Sequence, residues 1–314
     1  MKSFVSISAL ALAVALGVAP LAAAAPLNDP KDALKKTDSA ATAPADAGPA
    51  DAGPAATDPV GAVAETEQDD DPDTDVNRAQ PDFTIVGLPT TLRLPRHKSA
   101  FRITHRFGRP LGEGSLSNLA EDFFGFDSGA TIGFEYRYGL FKSTQIAVHR
   151  TNNRTIQFLL QRQVKGQDDT FPLSIDVFGS AEGTNNFRDS YSPGLGVIVS
   201  REFTDRATVY AQPFWVNNTN PLPGELVDDN NSVMLGLGAR VRLTASVYGV
   251  FEVTPRVNGY DPGDHQMSFG IEKRAGGHNF QINFSNAFGT TFGQMARGGN
   301  DDWYIGFNLS RKFY

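Results

Sequence analysis

From Ser99 to Phe313 the side chains alternate between apolar and polar with a period of two, and this limits the fold more than any other feature. Ile132, Phe134, Tyr136 and Tyr138 are separated by Gly133, Glu135 and Arg137. Leu235, Leu237, Ala239, Val241 and Leu243 are separated by Gly236, Gly238, Arg240 and Arg242. Trp303, Ile305, Phe307 and Leu309 repeat the pattern close to the C-terminus. Only an extended chain sends successive side chains to opposite faces, so these segments read as strands with one apolar face. The pattern predicts strands over 99–107, 130–138, 143–150, 154–164, 173–181, 191–203, 206–216, 232–244, 246–256, 266–274, 278–287 and 302–313. That is about twelve, an even number, as single-chain bacterial outer-membrane barrels require.

Two features separate a barrel from a soluble sandwich. Connections at 138–142, 204–205, 244–246 and 274–277 are tight, whereas 108–129, 217–231, 257–265 and 288–301 are long excursions. Short and long mostly alternate, with 151–153 and 165–172 as exceptions, which suits short periplasmic turns and long external loops. The polar face carries Arg102, Arg106, Glu135, Arg137, Asp176, Glu202, Arg240, Arg242, Glu252, Arg256, Glu272 and Arg274, and few lysines. Arginine opposite carboxylate suits a confined, partly dry lumen. Aromatics near strand ends, among them Phe107, Tyr138, Phe203, Trp215, Trp303 and Phe313, fit interfacial girdles. The expected fold is therefore an all-β, transmembrane, antiparallel up-and-down β-barrel of about twelve strands. After the N-terminal segment there is no apolar run long enough for a membrane helix.

The barrel is expected over 83–314. Residues 1–25, with Lys2, an apolar core and Ala22-Ala23-Ala24-Ala25, read as a cleaved secretory signal. Residues 26–82 are rich in Ala, Pro and Asp and repeat Ala-Asp-Ala-Gly-Pro at 45–49 and 50–54, which predicts a disordered periplasmic tail. With no cysteine the chain can form neither disulfides nor an acylated N-terminal cysteine. The charge balance, 28 Lys+Arg against 35 Asp+Glu, offers no basic stripe for nucleic acid. The acidic run Asp69–Asp75 lacks the glycine and terminal glutamate of an EF-hand loop, so no metal and no cofactor is expected.

Phe101-Arg102-Ile103-Thr104-His105-Arg106-Phe107-Gly108, Phe123-Phe124-Gly125-Phe126-Asp127, Tyr138-Gly139, His149-Arg150-Thr151-Asn152 and Leu159-Leu160-Gln161-Arg162-Gln163 resemble segments of an uncharacterised family of bacterial outer-membrane β-barrel proteins. The resemblance implies the fold and brings no activity. The barrel itself implies an outer-membrane location and contact with outer-membrane lipid. The last strand with its aromatic end, Lys312-Phe313-Tyr314, fits what the barrel-insertion machinery reads, although the alternating apolar set runs in phase with Phe313 rather than Tyr314. More locally, His149-Arg150-Thr151-Asn152-Asn153-Arg154 is similar to the His-x-Ser-Asn-Gly-Arg stretch of outer-membrane phospholipase A. That similarity implies His149 as base and Thr151 as nucleophile, although Thr replaces Ser and Asn153 replaces Gly.

The leading functional expectation is a porin-like channel for small solutes or ions. A structural or adhesion barrel without transport, and a lipid-active enzyme, are the alternatives. The loop at 108–129 is a candidate constriction: His105, Asp122, Phe123, Phe124 and Asp127 border or occupy it, and Arg106 and Arg137 could pin it by pairing with Asp122 or Asp127. Seven inward arginines against five inward acids predict a weak anion preference. The same charges could instead fill a barrel this narrow. The tail could contact a periplasmic partner.

Overall fold

A computed structural model describes residues 77–121, 129–219, 231–260 and 263–313. Among them the strands are β1 (Ser99–Phe107), β2 (Ala130–Phe141), β3 (Thr144–Thr151), β4 (Ile156–Lys165), β5 (Ser174–Gly183), β6 (Asp189–Phe203), β7 (Ala207–Asn217), β8 (Asn231–Arg242), β9 (Val247–Thr254), β10 (Arg256–Asn258), β11 (Gln266–Ala275), β12 (His278–Ser285) and β13 (Tyr304–Phe313). β10 resumes β9 beyond Pro255 and pairs with the same neighbour, β8, so the wall has twelve strands. Every pairing is antiparallel between sequence neighbours, and β1 closes on β13 with Ser99 opposite Phe313 and Arg106 opposite Gly306. The result is a closed up-and-down barrel, which leaves no free sheet edge.

Its burial is inverted relative to a soluble protein. The apolar members of the alternation face out: Phe134 is 49 % exposed, Leu160 51 % and Ile282 58 %. The charged members face in: Arg240, Glu252 and Glu272 are wholly buried. Hydrocarbon lipid is the solvent in which that arrangement is stable. The connections sort into two ends. The chain enters β1 and leaves β13 at the end that also holds 142–143, 166–173, 204–206, 243–246 and 276–277, here called the turn end. The opposite loop end holds the six other connections, β1 to β2, β3 to β4, β5 to β6, β7 to β8, β10 to β11 and β12 to β13. The two exceptions to the alternation remain exceptions in length: the short 152–155 connection lies at the loop end and the longer 166–173 at the turn end.

The inner face is not polar all round. Leu159, Phe178, Ile198, Phe214, Val216 and Met234 point inward from β4 to β8 and form one buried cluster with Ile85, Val86, Leu88, Phe292 and Met295. Inward apolar side chains need an apolar partner in the lumen, and two segments supply it. Asn77–Asp82, expected in the tail, belong to the first of them. They lie inside the barrel, where Thr208 Oγ1 donates to Ala79 O at 3.1 Å and Ser310 Oγ to the Asp82 carboxylate at 2.8 Å.

Candidate functional site: a plugged lumen

Residues 77–95 enter the lumen from the turn end, reverse at Val86-Gly87 and return to it. Thr90 N donates to Phe83 O at 2.8 Å and Ile85 N to Leu88 O at 2.8 Å, which makes 83–90 a narrow hairpin. The ascending arm is held by Asn279 and Ser310 on Asp82 and by Arg240, whose Nη2 donates to Thr84 O at 2.7 Å. On the descending arm Gln212 donates to Pro89 O at 2.8 Å, Gln161 to Thr90 O at 2.8 Å, and Leu94 N donates to Gln145 Oε1 at 3.0 Å.

At the reversal, Val86, Gly87 and Leu88 have backbone N–H groups with no partner in the hairpin. All three donate to the Glu252 carboxylate at 3.0 Å. Successive N–H groups turned to one side form an anion-binding concavity, and here the wall provides the anion. The tip carbonyls are met as well: Gln281 donates to Ile85 O at 2.6 Å and Asn308 to Val86 O at 2.9 Å. The side chains dock on glycines of β8. A Cβ on Gly238 would lie 2.3 Å from Ile85 Cδ1, and one on Gly236 3.0 Å from Leu88 Cδ1. Gly238→Leu is therefore expected to displace the tip. With Val86→Cys as reporter, a buried tip position that leaves Ile85 in place, labelling by a water-soluble maleimide should rise several-fold over the Val86→Cys protein alone, and unchanged labelling would contradict this docking.

The loop between β12 and β13 closes the lumen from the other end. Thr291 caps a short helical turn, Phe292–Ala296, that points into the barrel. Phe292 N donates to Gln157 at 2.7 Å and Gly293 N to Glu182 at 2.9 Å. The Phe292 ring stacks on Phe178 with centroids 4.7 Å apart, and Met295 Sδ lies 3.1 Å from where a Gly87 Cβ would be. Hairpin and helical turn meet at mid-lumen. A cavity of about 350 Å³ opens at the turn end beside Asn77, Gln80 and Glu202, and one of about 210 Å³ at the loop end beside Phe288 and Arg297. Between them, near Arg102, Glu135 and Phe292, the void is about 10 Å³, room for at most one water.

The charged residues fall into groups. Arg102 donates to Glu135 at 2.9 Å and to Thr84 Oγ1 at 2.6 Å, and Arg137 donates to Glu135 at 3.0 Å and to Gln161 at 3.2 Å. Arg240 and Glu272 pair at 2.9 Å, both fully buried. Arg106 donates to Asn308 at 3.0 Å, and Asp176 accepts from Gln161 at 2.7 Å. Four others lie at the rims. Glu202 accepts from Asn77 and Gln80, and Arg242 pairs with Asp205, at the turn end. Arg274 is half-buried at the same end, where its N–H donates to Ser246 O. Arg256 donates to the carbonyls of Gly263 and Arg297 at the loop end.

His105 does not border the lumen. Arg102 and Arg106 point inward, so strand alternation sends His105 to the outer wall, stacked on Phe307 at 4.8 Å and against Phe107 at 4.4 Å. Asp122, Phe123, Phe124 and Asp127 lie outside the described residues. Among the described residues, the two arginines expected to pin their loop bind Asn308 and Glu135. The phospholipase-like pair is not joined. His149 and Thr151 are both buried on the inner face, but the Thr151 hydroxyl donates to Asn153 and Thr155 O, and neither ring nitrogen of His149 has a hydrogen-bond partner among the described residues. Glu135 is 4.0 Å from the ring.

No functionally curated protein matches this sequence. Among solved structures the chain is similar to the NanC porin, with TM-score 0.45, 11 % identity, and 69 % of this chain and 99 % of that chain covered. It is also similar to the KdgM porin (0.44, 10 %, 69 % and 99 %) and to a triple mutant of Rhodopseudomonas blastica porin (0.32, 11 %, 58 % and 55 %). Residues 82–313 match the model of a family described as a membrane bound beta barrel domain (DUF5777). With the whole wall inside that match, the chain belongs to this family of membrane-bound β-barrels.

Proposed function

We propose that this protein is an outer-membrane channel for small polar solutes or ions that its own N-terminal hairpin holds shut. One observation carries the reading: the lumen is filled by a separate segment seated through side-chain-to-backbone hydrogen bonds, rather than by wall side chains meeting across it. Without residues 77–95 and with the Phe292 turn drawn back, the wall encloses a space lined by Arg, Glu, Gln and Asn, the chemistry of a polar pore. The turn end faces the periplasm in this reading. Asn77 lies there, so the preceding tail joins the hairpin where a periplasmic partner can reach it.

The test is conductance in planar bilayers of the full chain and of a variant lacking residues 26–95. The full chain is expected to be mostly silent and the deletion to conduct steadily, because the deletion also removes the Gly87 tip on which Met295 rests and so frees the Phe292 turn to draw back. A weak anion preference in reversal potential is expected, because Arg102, Arg106, Arg137 and Arg240 are then exposed to the pore. A second reading is a permanently sealed, structural barrel. It draws on the apolar seat of Ile85 and Leu88 and the Phe292 turn closing from the opposite side. Silence of both proteins would favour it over the channel.

A further inference from the structure

The outer wall carries its unpaired charge at one end. Arg162, Arg201, Lys273 and Arg311 point outward from β4, β6, β11 and β13, each two or three residues from the turn end of its strand, and all are exposed. Among the described residues none of the four forms an ion pair. Two lie over aromatic rings that continue the apolar band, Arg201 at 5.0 Å from the Phe203 centroid and Arg311 at 5.3 Å from Phe313. Lys165, by contrast, is already engaged with Asp168 at 2.6 Å, and its ammonium holds that carboxyl below the usual carboxylate range. At the loop end, Arg150 and Asp189 are the charged outward strand positions among the described residues, and their signs cancel. An uncompensated ring of cations just beyond a lipid-facing band sits at headgroup depth, with its stems along the acyl chains.

A formed seat lies on this rim. A cavity of about 240 Å³ at the turn end is lined by Arg206, Arg242, Leu243, Thr244 and Ala245. Its arginines supply the polar side; Leu243, 58 % exposed, continues the lipid face. Arg242 is partly neutralised by Asp205, which leaves Arg206 as the available cation.

We infer that the turn-end rim binds the phosphate headgroups of anionic glycerophospholipids in the adjoining leaflet, with one headgroup seated between the β6–β7 and β8–β9 turns. The chemistry is charge-assisted hydrogen bonding of guanidinium to phosphate, with the first acyl carbons against Leu243.

The experiment uses the full chain folded in a zwitterionic detergent, with added phosphatidylglycerol, phosphatidylcholine or lipid A, and counts retained lipids by native mass spectrometry. Heat-modifiable migration confirms that each variant is folded. Wild type should retain phosphatidylglycerol on the order of tenfold over phosphatidylcholine, falling as salt is raised. The variant Arg201→Gln/Arg206→Gln should lose about that factor, whereas Arg150→Gln at the other rim should not. Equal retention by the double variant, salt-independent retention by wild type, or a preference for lipid A would each overturn the assignment. The salt series on wild type decides the matter even if the double variant does not fold.

Discussion

Glu252→Ala is expected to turn a mostly closed barrel into one that opens often. The Glu252 carboxylate accepts all three N–H groups at the hairpin tip, more than any other side chain gives that segment. Without it, these donors stay buried against Met295 and the β8–β9 wall with no acceptor. A buried unsatisfied group costs about 1–3 kcal/mol, so the seated hairpin loses on the order of 3 kcal/mol, while a hairpin that has left satisfies the same donors with water. That is roughly a 150-fold shift toward the open state. Glu252→Gln keeps one acceptor oxygen without the charge, so its shift should be about tenfold. Bilayer recordings read both as open probability. The alanine variant also removes a lumen anion, so its open state should favour anions more than that of the deletion protein.

The second large effect concerns the barrel itself. Arg240 and Glu272 are paired at 2.9 Å and fully buried; Arg240 also donates to Thr84 O, and Gln281 donates to Glu272 at 3.1 Å. Arg240→Leu leaves the carboxylate buried without its cation, and losing one partner of such a pair costs about 3–5 kcal/mol. Replacing both with Leu removes the stranded charge along with the attraction, so Arg240→Leu/Glu272→Leu should recover most of that loss. The readout is the urea midpoint of the compact form by heat-modifiable migration: single variant lowest, double variant near wild type. A double variant no more stable than the single would show that the pair contributes through the hairpin rather than through its own charges.

The wall was legible because its cause is local. A strand between lipid and lumen must alternate, so twelve periodic segments such as Ile132–Tyr138 and Leu235–Leu243 stand out without knowledge of their partners. The same phase that turns Arg102 and Arg106 inward turns His105 outward, so its misplacement beside the loop was correctable from sequence. The plug was hidden for a different reason. Residues 77–95 have neither helical nor strand periodicity, and their partners lie far along the chain: Glu252 is 164 to 166 residues from the tip N–H groups it binds. Two traces were present. Ile85, Val86 and Leu88 are too apolar for a solvated tail, and the aromatic-rich composition starts at Phe83, sixteen residues before β1. Inward Leu159, Phe178, Phe214 and Met234 broke the polar inner face, and they mark where an apolar insert has to sit. Glu182 and Gln157, which hold the Phe292 turn, gave no such mark, because a single polar residue on an inner face looks the same whether it lines water or binds a loop.

The central claim is that the hairpin closes the lumen, and a reversible lock tests it most directly. The chain has no cysteine, and Thr91 Oγ1 lies 2.6 Å from Ser200 Oγ, one on the hairpin and one on β6. Side chains that close are within reach of a disulfide. Thr91→Cys/Ser200→Cys, placed in the Glu252→Ala background, should be silent in planar bilayers when oxidised and should open within the same recording once reductant is added. Equal conductance before and after reduction, with the disulfide verified, would contradict closure by the hairpin.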